Sequence, residues 1–288
     1  MPSPQITLSF PAHLKLDPVT LETGLFINNE FVESAEKSTF ETLNPTNGKV
    51  IGSVSEARAK DVDIAVKAAS EAFNKVWGIK TPGSTRGKML MHLADKIEAH
   101  MDTLAAIEAM DSGKTFAMAK AFDITEAAAC LRYYGGWADK NMGQTIEVDE
   151  SKMAFTIHEP IGVVALATGN TIVLKPAEQT PLTALYLCRF IREIFPAGVV
   201  NILPGFGVWA GQAMVEHPMI EKIAFTGSTS IGKQILAKSG NNNLKKVTLE
   251  LGGKSSNIVF DDARFEQVVK WASFGIFFNH GPRLILIT

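Results

Sequence analysis

The sequence predicts an α/β protein whose main sheet is parallel and covered by helices on both faces. Three observations lead there. From Ile161 onward, short β-branched runs alternate with helical patterns. Ahead of Ile161, turn-rich hairpin patterns and Ala-rich helical patterns share the chain. Hydrophobic residues make up 46% of the 288, enough for about two globular domains. The formal net charge of −2 gives no bias toward nucleic acid, and no apolar stretch approaches the roughly 18 residues of a membrane span. The opening MPSPQITLSFPAHLKLD has no basic segment followed by an apolar one, so a secretory signal is not expected and the cytoplasm is the expected compartment. Cys130 and Cys188 are too few for a disulfide framework, and the six His fall in no metal-ligand spacing.

In chain order, LFINNEFV from Leu25 sets Asn28-Asn29 between two short β-like runs, and NPTNG from Asn44 is a second turn cluster, so an antiparallel entry segment is expected to about Val54. Asp61 is positioned to cap an Ala-rich helix running through Trp77. Met89, Leu93, Ile97, Met101 and Leu104 recur at spacings of three and four, which predicts one helix over about 85–110; a third helix is expected over about 124–134. Residues 144–148 and 153–157 flank the polar DES and read as a hairpin. Strands are then expected at 171–175, 198–203, 222–226, 245–251 and 256–260, with helical runs such as TALYLCRFIREIF between them.

In parallel sheets ligands sit at the carboxyl ends of the strands, so the loops after Lys175, Leu203, Thr226 and Leu251 are the places to look for chemistry. GSTSIG, Gly227 to Gly232, opens a helix where free N–H groups favour a phosphate, and it reads equally as a tight turn with an N-cap. LPGFG from Leu203 permits close approach of a ligand or simply makes a turn. Lys175 and Glu178 in LKPAEQTP read, alone, as a solvated ion pair, and Glu250 as a strand-end carboxylate beside lysines. AMDSGKT, Ala109 to Thr115, ends like a P-loop, but the first glycine of that motif would fall at Glu108.

LKPAEQTPL, PGFG, FTGSTxxG and LELGGKS, in this order and at these separations, resemble the NAD(P)-dependent aldehyde dehydrogenase family, and the resemblance extends from about Leu25 to Gly281. It implies a Rossmann-type cofactor domain with a small β-hairpin arm and only the start of a catalytic domain. The implied division is 1–143 for the N-terminal part of the NAD-binding domain, 144–160 for an oligomerisation arm, 161–251 for the Rossmann-type part and 252–288 for a catalytic stub. By resemblance, Lys175 and Glu178 hold the adenosine ribose, with Glu178 favouring NAD over NADP. Gly207 then lies near the adenine, Gly227, Ser228 and Gly232 belong to the pyrophosphate turn, and Glu250 is the general base that activates water against a thioester. The implied partner is a small aldehyde, with no nucleic acid, membrane or metal. Intact relatives are homo-oligomers through a C-terminal strand that has no counterpart here.

The resemblance breaks twice. After FFNHG, where the family continues to its cysteine nucleophile, this chain reads Pro282, Arg283, Leu284, an ending more in keeping with a shifted reading frame or an intron fault than with divergence. IGVV, Ile161 to Val164, passes at once to ALATGN, Ala165 to Asn170, without the loop and helix that carry the family's oxyanion-stabilising Asn. Parallel neighbours need a crossover of about a dozen residues or more, so a hairpin around Gly169-Asn170, or the departure of one strand, is expected. A misassembled sheet and weak dinucleotide binding should follow. Cys188 and Cys130 lie in helical apolar patterns, away from the electropositive loop of a reactive thiolate. The chain as written is therefore expected to be inactive as an aldehyde dehydrogenase, the other reading being a non-catalytic dinucleotide- or partner-binding fragment.

Overall fold

Residues 4–163, 169–253 and 256–277 are described by the computed structural model. Val164 to Thr168 and the ending from Asn279 to Leu284 therefore lie outside the described residues. The chain packs as two units, Met1–Lys222 and Ile223–Thr288, each described by itself.

Turn chemistry shapes the start of the first unit. Strands β1 (Gln5–Leu8) and β2 (Val19–Glu22) pair antiparallel, as do β3 (Leu25–Ile27) with β4 (Glu30–Val32) and β5 (Thr39–Leu43) with β6 (Val50–Ser55). The β3–β4 loop is Asn28-Asn29, with φ of 54° and 65°, the two positive angles that a tight hairpin needs and that Asn tolerates. Its polar groups are also used: Asn28 N donates to Asn201 Oδ1 at 2.9 Å and Asn29 Nδ2 to Phe195 O at 2.8 Å.

Helices follow. α1 (Ala59–Lys75) buries Val62, Ala65, Val66, Ala69 and Ala72 on one face. Asp61 is the third residue of this helix rather than its cap, because the chain turns in at Arg58; its carboxylate accepts Arg58 N at 2.9 Å, Ala35 N at 2.8 Å and Ser34 Oγ at 3.2 Å. The single helix expected over 85–110 is two, α2 (Gly83–Ala99) and α3 (Met101–Ser112), broken at His100, where φ and ψ are −110° and 21°. The break seats the His100 ring against Tyr186 and Phe190, and Tyr186 Oη and His100 Nδ1 lie 3.2 Å apart. After α4 (Phe116–Met118) and a π-helical turn at Ala119–Ile124 comes α5 (Thr125–Trp137). α2 and α5 meet backbone to backbone, since a Cβ on Gly87 would lie 2.5 Å from Gly135 O. The expected hairpin forms as β7 (Thr145–Asp149) and β8 (Lys152–Phe155), with Ile146, Val148, Met153 and Phe155 exposed.

The sheet that carries the site is mixed, in the order β4-β3-β10-β9, where β9 is Ile172–Leu174 and β10 is Val200–Ile202. β9 and β10 run parallel, linked by α6 (Leu182–Ile194), and β10 pairs antiparallel with β3. The hairpin expected around Gly169-Asn170 is not what the described residues form. Val163 makes a parallel bridge to Thr171, with Thr171 N donating to Gly162 O at 3.0 Å, and the sheet is assembled despite the short connection. The reason is local: Asn170 Oδ1 accepts both Ile161 N at 2.7 Å and Gly162 N at 3.1 Å, and glycines at φ 133° (Gly162) and 97° (Gly169) give the backbone the freedom to bend. Trp77, fully buried two residues past the end of α1, donates through Nε1 to Asn170 O at 3.0 Å. Past β10, a π-helical turn at Gly207–Gly211 leads into α7 (Gln212–Glu216).

The core of this unit gathers Leu21, Phe26, Val54, Trp77, Leu104, Ile107, Leu182, Leu185 and Tyr186. Burying one large apolar side chain contributes about 1.5–3 kcal/mol. In the second unit β11 (Lys222–Gly227) pairs with β12 (Lys246–Leu251), with α8 (Thr229–Gly240) between them in sequence and α9 (Phe265–Phe277) beyond. The strand expected at 256–260 does not form; Ile258, Val259 and Phe260 are exposed, so the run has no buried face to hold it in a ladder.

Asp61→Ala removes a buried carboxylate that three donors share, and the expected cost is about 2–4 kcal/mol of stability. Urea unfolding of the variant beside the parent measures it, and an unchanged midpoint refutes it.

Candidate functional site

The sequence-predicted site residues fall into two groups, one in each unit. In the first unit Lys175 stands just past β9, with its side chain mostly covered. Its ammonium donates to Pro176 O at 2.9 Å, to Gly205 O at 2.9 Å and to Glu178 Oε2 at 3.2 Å, so all three of its hydrogens have acceptors. Burial pushes the Glu178 carboxyl up, but its own backbone N–H and the Lys175 ammonium outweigh this and hold it below the ordinary carboxylate value. Gly205 belongs to the loop after β10, which Ala57 N holds by donating to Pro204 O at 2.8 Å. A Cβ on Gly205 would lie 3.0 Å from Ala57 O, so glycine permits this close approach, whereas a Cβ on Gly207 would meet nothing within 4 Å. The structure thus brings Lys175, Glu178 and the Gly205–Gly207 loop into one corner.

Three neighbours of that corner escape sequence reasoning. Arg58 lies over the Trp209 ring at 4.5 Å and pairs with Glu56 at 3.0 Å. Arg58 and Trp209 are too far apart in sequence for a spacing rule to join them. The SGKT resembling a P-loop has a structural role instead: Gly113, at φ 76°, ends α3, and Lys114 Nζ reaches both Asp123 oxygens at 2.8 Å.

In the second unit Gly227 ends β11 and Ser228 caps α8, its Oγ accepting Ile231 N at 3.4 Å. Gly232 is buried against β12, where a Cβ would come 2.6 Å from Leu251 Cδ2, so close helix–strand packing calls for glycine there. Glu250 lies on the exposed face of β12. Among the described residues no group of three His, Cys, Asp or Glu could hold a metal ion, and no helix is long and apolar enough to cross a membrane.

Cys188 is fully buried on α6 and its Sγ donates to Ala184 O; burial pushes its thiol well above the ordinary value. Cys130 is exposed on α5.

The fold is of the α/β class, with candidate residues gathered just past a parallel strand, where such sheets hold ligands. Comparison with known proteins narrows the class. The sequence model of the aldehyde dehydrogenase family matches residues 31–166 and 163–285, two segments that overlap at 163–166. An aldehyde dehydrogenase of Emericella nidulans is 54% identical over 278 residues, covering 90% of this chain and 56% of that protein. One of Agaricus bisporus is 50% identical over 282 residues, with 91% and 56% covered. The structure of a Bacillus cereus aldehyde dehydrogenase, solved as an NAD+ complex, superposes with a TM-score of 0.88 at 44% identity, covering 96% of this chain and 60% of that one. The chain belongs to the aldehyde dehydrogenase family, and its fold is aldehyde dehydrogenase-like. It spans a little over half the length of the relatives it matches.

Thiol labelling of the native chain is expected to modify Cys130 quickly and Cys188 only on unfolding, because the thiolate is the reactive form. Equal rates for the two, read by mass spectrometry of the peptides, refute the burial argument.

Proposed function

We propose that these residues are the nucleotide-holding half of an oxidoreductase that converts an aldehyde, NAD and water to a carboxylic acid and NADH. The observation that carries the reading is the Lys175–Glu178 pair, held to the Gly205 carbonyl in a chain of this family. NAD, when bound, supplies the hydride acceptor. The residues present fit its adenosine half: Glu178 is ionised and partly exposed, able to accept hydrogen bonds from both ribose hydroxyls, and a Cβ on Gly207 would meet nothing within 4 Å, so that side of the loop is open. An ionised Glu178 repels a phosphate on the same ribose, which favours NAD over NADP. In the second unit, Gly227 and Ser228 form the turn that would face the pyrophosphate at the N-terminus of α8, Gly232 lets that helix pack closely on β12, and Glu250 would be the base that takes a proton from water.

Within residues 1–288 no thiol is suited to attack the aldehyde, since Cys188 is buried and Cys130 lies on the α5 surface. The 288-residue chain by itself is a binding protein for the dinucleotide, without turnover. The same proposal keeps the division into 1–143, 144–160, 161–251 and 252–288, although the packing units part at Lys222, and it keeps the exposed β7–β8 hairpin as an oligomerisation arm. A cytoplasmic location also belongs to it.

Calorimetry with NAD and with AMP is the test. Both are expected to bind the chain, and Glu178→Ala to weaken each by about tenfold or more, the loss of a charged hydrogen-bond partner. Undiminished binding by Glu178→Ala overturns the ribose assignment. With an aldehyde and NAD, no NADH is expected above the level of Glu250→Gln; steady NADH production dependent on Glu250 refutes the non-catalytic reading.

A further inference from the structure

Glu178 sits on the segment that joins β9 to α6, and both ends of that segment are fastened. At one end Lys175 is bonded to the Gly205 carbonyl. The other end is fastened by α3. Asp111, 2% exposed, accepts Leu182 N at 2.9 Å through Oδ2 and Thr42 Oγ1 at 2.9 Å through Oδ1. One turn earlier, Glu108 Oε2 accepts Thr183 Oγ1 at 2.9 Å, and Lys114 lies 3.8 Å from Glu108 Oε1 while bonded to Asp123. Two acidic side chains of α3 thus grip the first turn of α6, although burial pushes the Asp111 carboxyl up to about 7. Leu182 is the first residue of α6 and is wholly buried. Between the anchors the segment has little freedom: Pro176 and Pro181 fix their own φ, and Thr180 N bonds Ala177 O at 3.1 Å.

We propose that Asp111 is a positioning residue for nucleotide binding: by holding the Leu182 amide it fixes the loop that presents Glu178 to the ribose. The inference rests on the ribose reading of Glu178. Asp111 is buried on α3, bonded to Thr42 as well, and its link to the Glu178 segment runs through the backbone N–H of Leu182. Its carboxylate is therefore one of the interactions that set where Glu178 stands before any ligand arrives. Nothing in the AMDSGKT motif announces this, because the partners come from residues 42 and 182.

The experiment measures AMP affinity by calorimetry for the parent chain, Asp111→Ala, Asp111→Asn, Glu178→Ala and the double variant Asp111→Ala with Glu178→Ala. Amide exchange at Leu182 and the urea midpoint are measured for each. With its carbonyl oxygen turned to Leu182 N–H, Asn presents its NH2 to the Thr42 hydroxyl, whose oxygen accepts in place of donating, so Asp111→Asn is expected to keep AMP affinity within about twofold. Asp111→Ala should expose the Leu182 amide to exchange and weaken AMP by about tenfold when Glu178 is present, but by less than about twofold when it is not. Equal losses in both backgrounds mean that Asp111 acts on the fold at large and overturn the proposal. Should Asp111→Ala fail to fold, Asp111→Asn decides: a protected Leu182 amide with retained affinity supports the proposal, and a protected amide with lost affinity overturns it. If Glu178→Ala is itself silent, the ribose reading fails and the proposal with it. If Glu178→Ala weakens AMP and a folded Asp111→Ala does not, only the positioning role fails.

Discussion

One buried amide fixes the frame on which the Lys175–Glu178 corner stands. Asn201, in the middle of β10 and fully buried, accepts Asn28 N through Oδ1 at 2.9 Å and donates through Nδ2 to Gly198 O at 2.8 Å and Ile172 O at 3.3 Å. It ties together the entry hairpin, the turn before β10 and the first residue of β9, segments far apart in sequence. A buried amide is stable only when its donors and acceptor are paired, so these three segments settle together. The register that follows sets Ile202 beside Leu174 and brings the two strand ends, with Lys175 and Gly205, to the same edge.

The entry hairpin is accordingly part of the sheet that carries Lys175 rather than an appendage to it. β3 pairs with β10 through Phe26 and Ile202, which gives a parallel pair an antiparallel neighbour. The short connection after Val163 is tolerated for a related reason. A single parallel bridge, clamped by Asn170 and backed by Trp77, leaves the β9–β10 pairing undisturbed, and the electrostatic environment of Glu178 is set by groups on the far side of β9 from the bridge.

Local chemistry was the part readable in the sequence. Asn28-Asn29 announces its turn because few residues accept positive φ twice in succession, and the β7–β8 hairpin and the β9–α6–β10 alternation follow from pattern in the same way. Long-range packing was not readable. Met89, Leu93, Ile97, Met101 and Leu104 keep one apolar spacing straight through the His100 break, so periodicity cannot reveal that Tyr186 and Phe190 draw the ring inward there. Asp61 looks like a cap until the chain is seen to enter at Arg58, and Ser256 to Phe260 have strand composition without a buried face. At the site, Lys175 and Glu178 stood out through a motif, while Arg58, Trp209 and Asp111 depend on partners dozens of residues away.

The burial of Trp77 gives the molecule an optical reporter. Of the four tryptophans, Trp77 is fully buried and hydrogen-bonded to the Asn170 carbonyl, whereas Trp137, Trp209 and Trp271 are each about half exposed. Emission at the blue edge of the spectrum therefore arises chiefly from one indole, and that indole reaches the Val163–Thr171 bridge through a single residue, Asn170. A quencher confined to water silences the other three and leaves a signal whose colour follows the integrity of that junction.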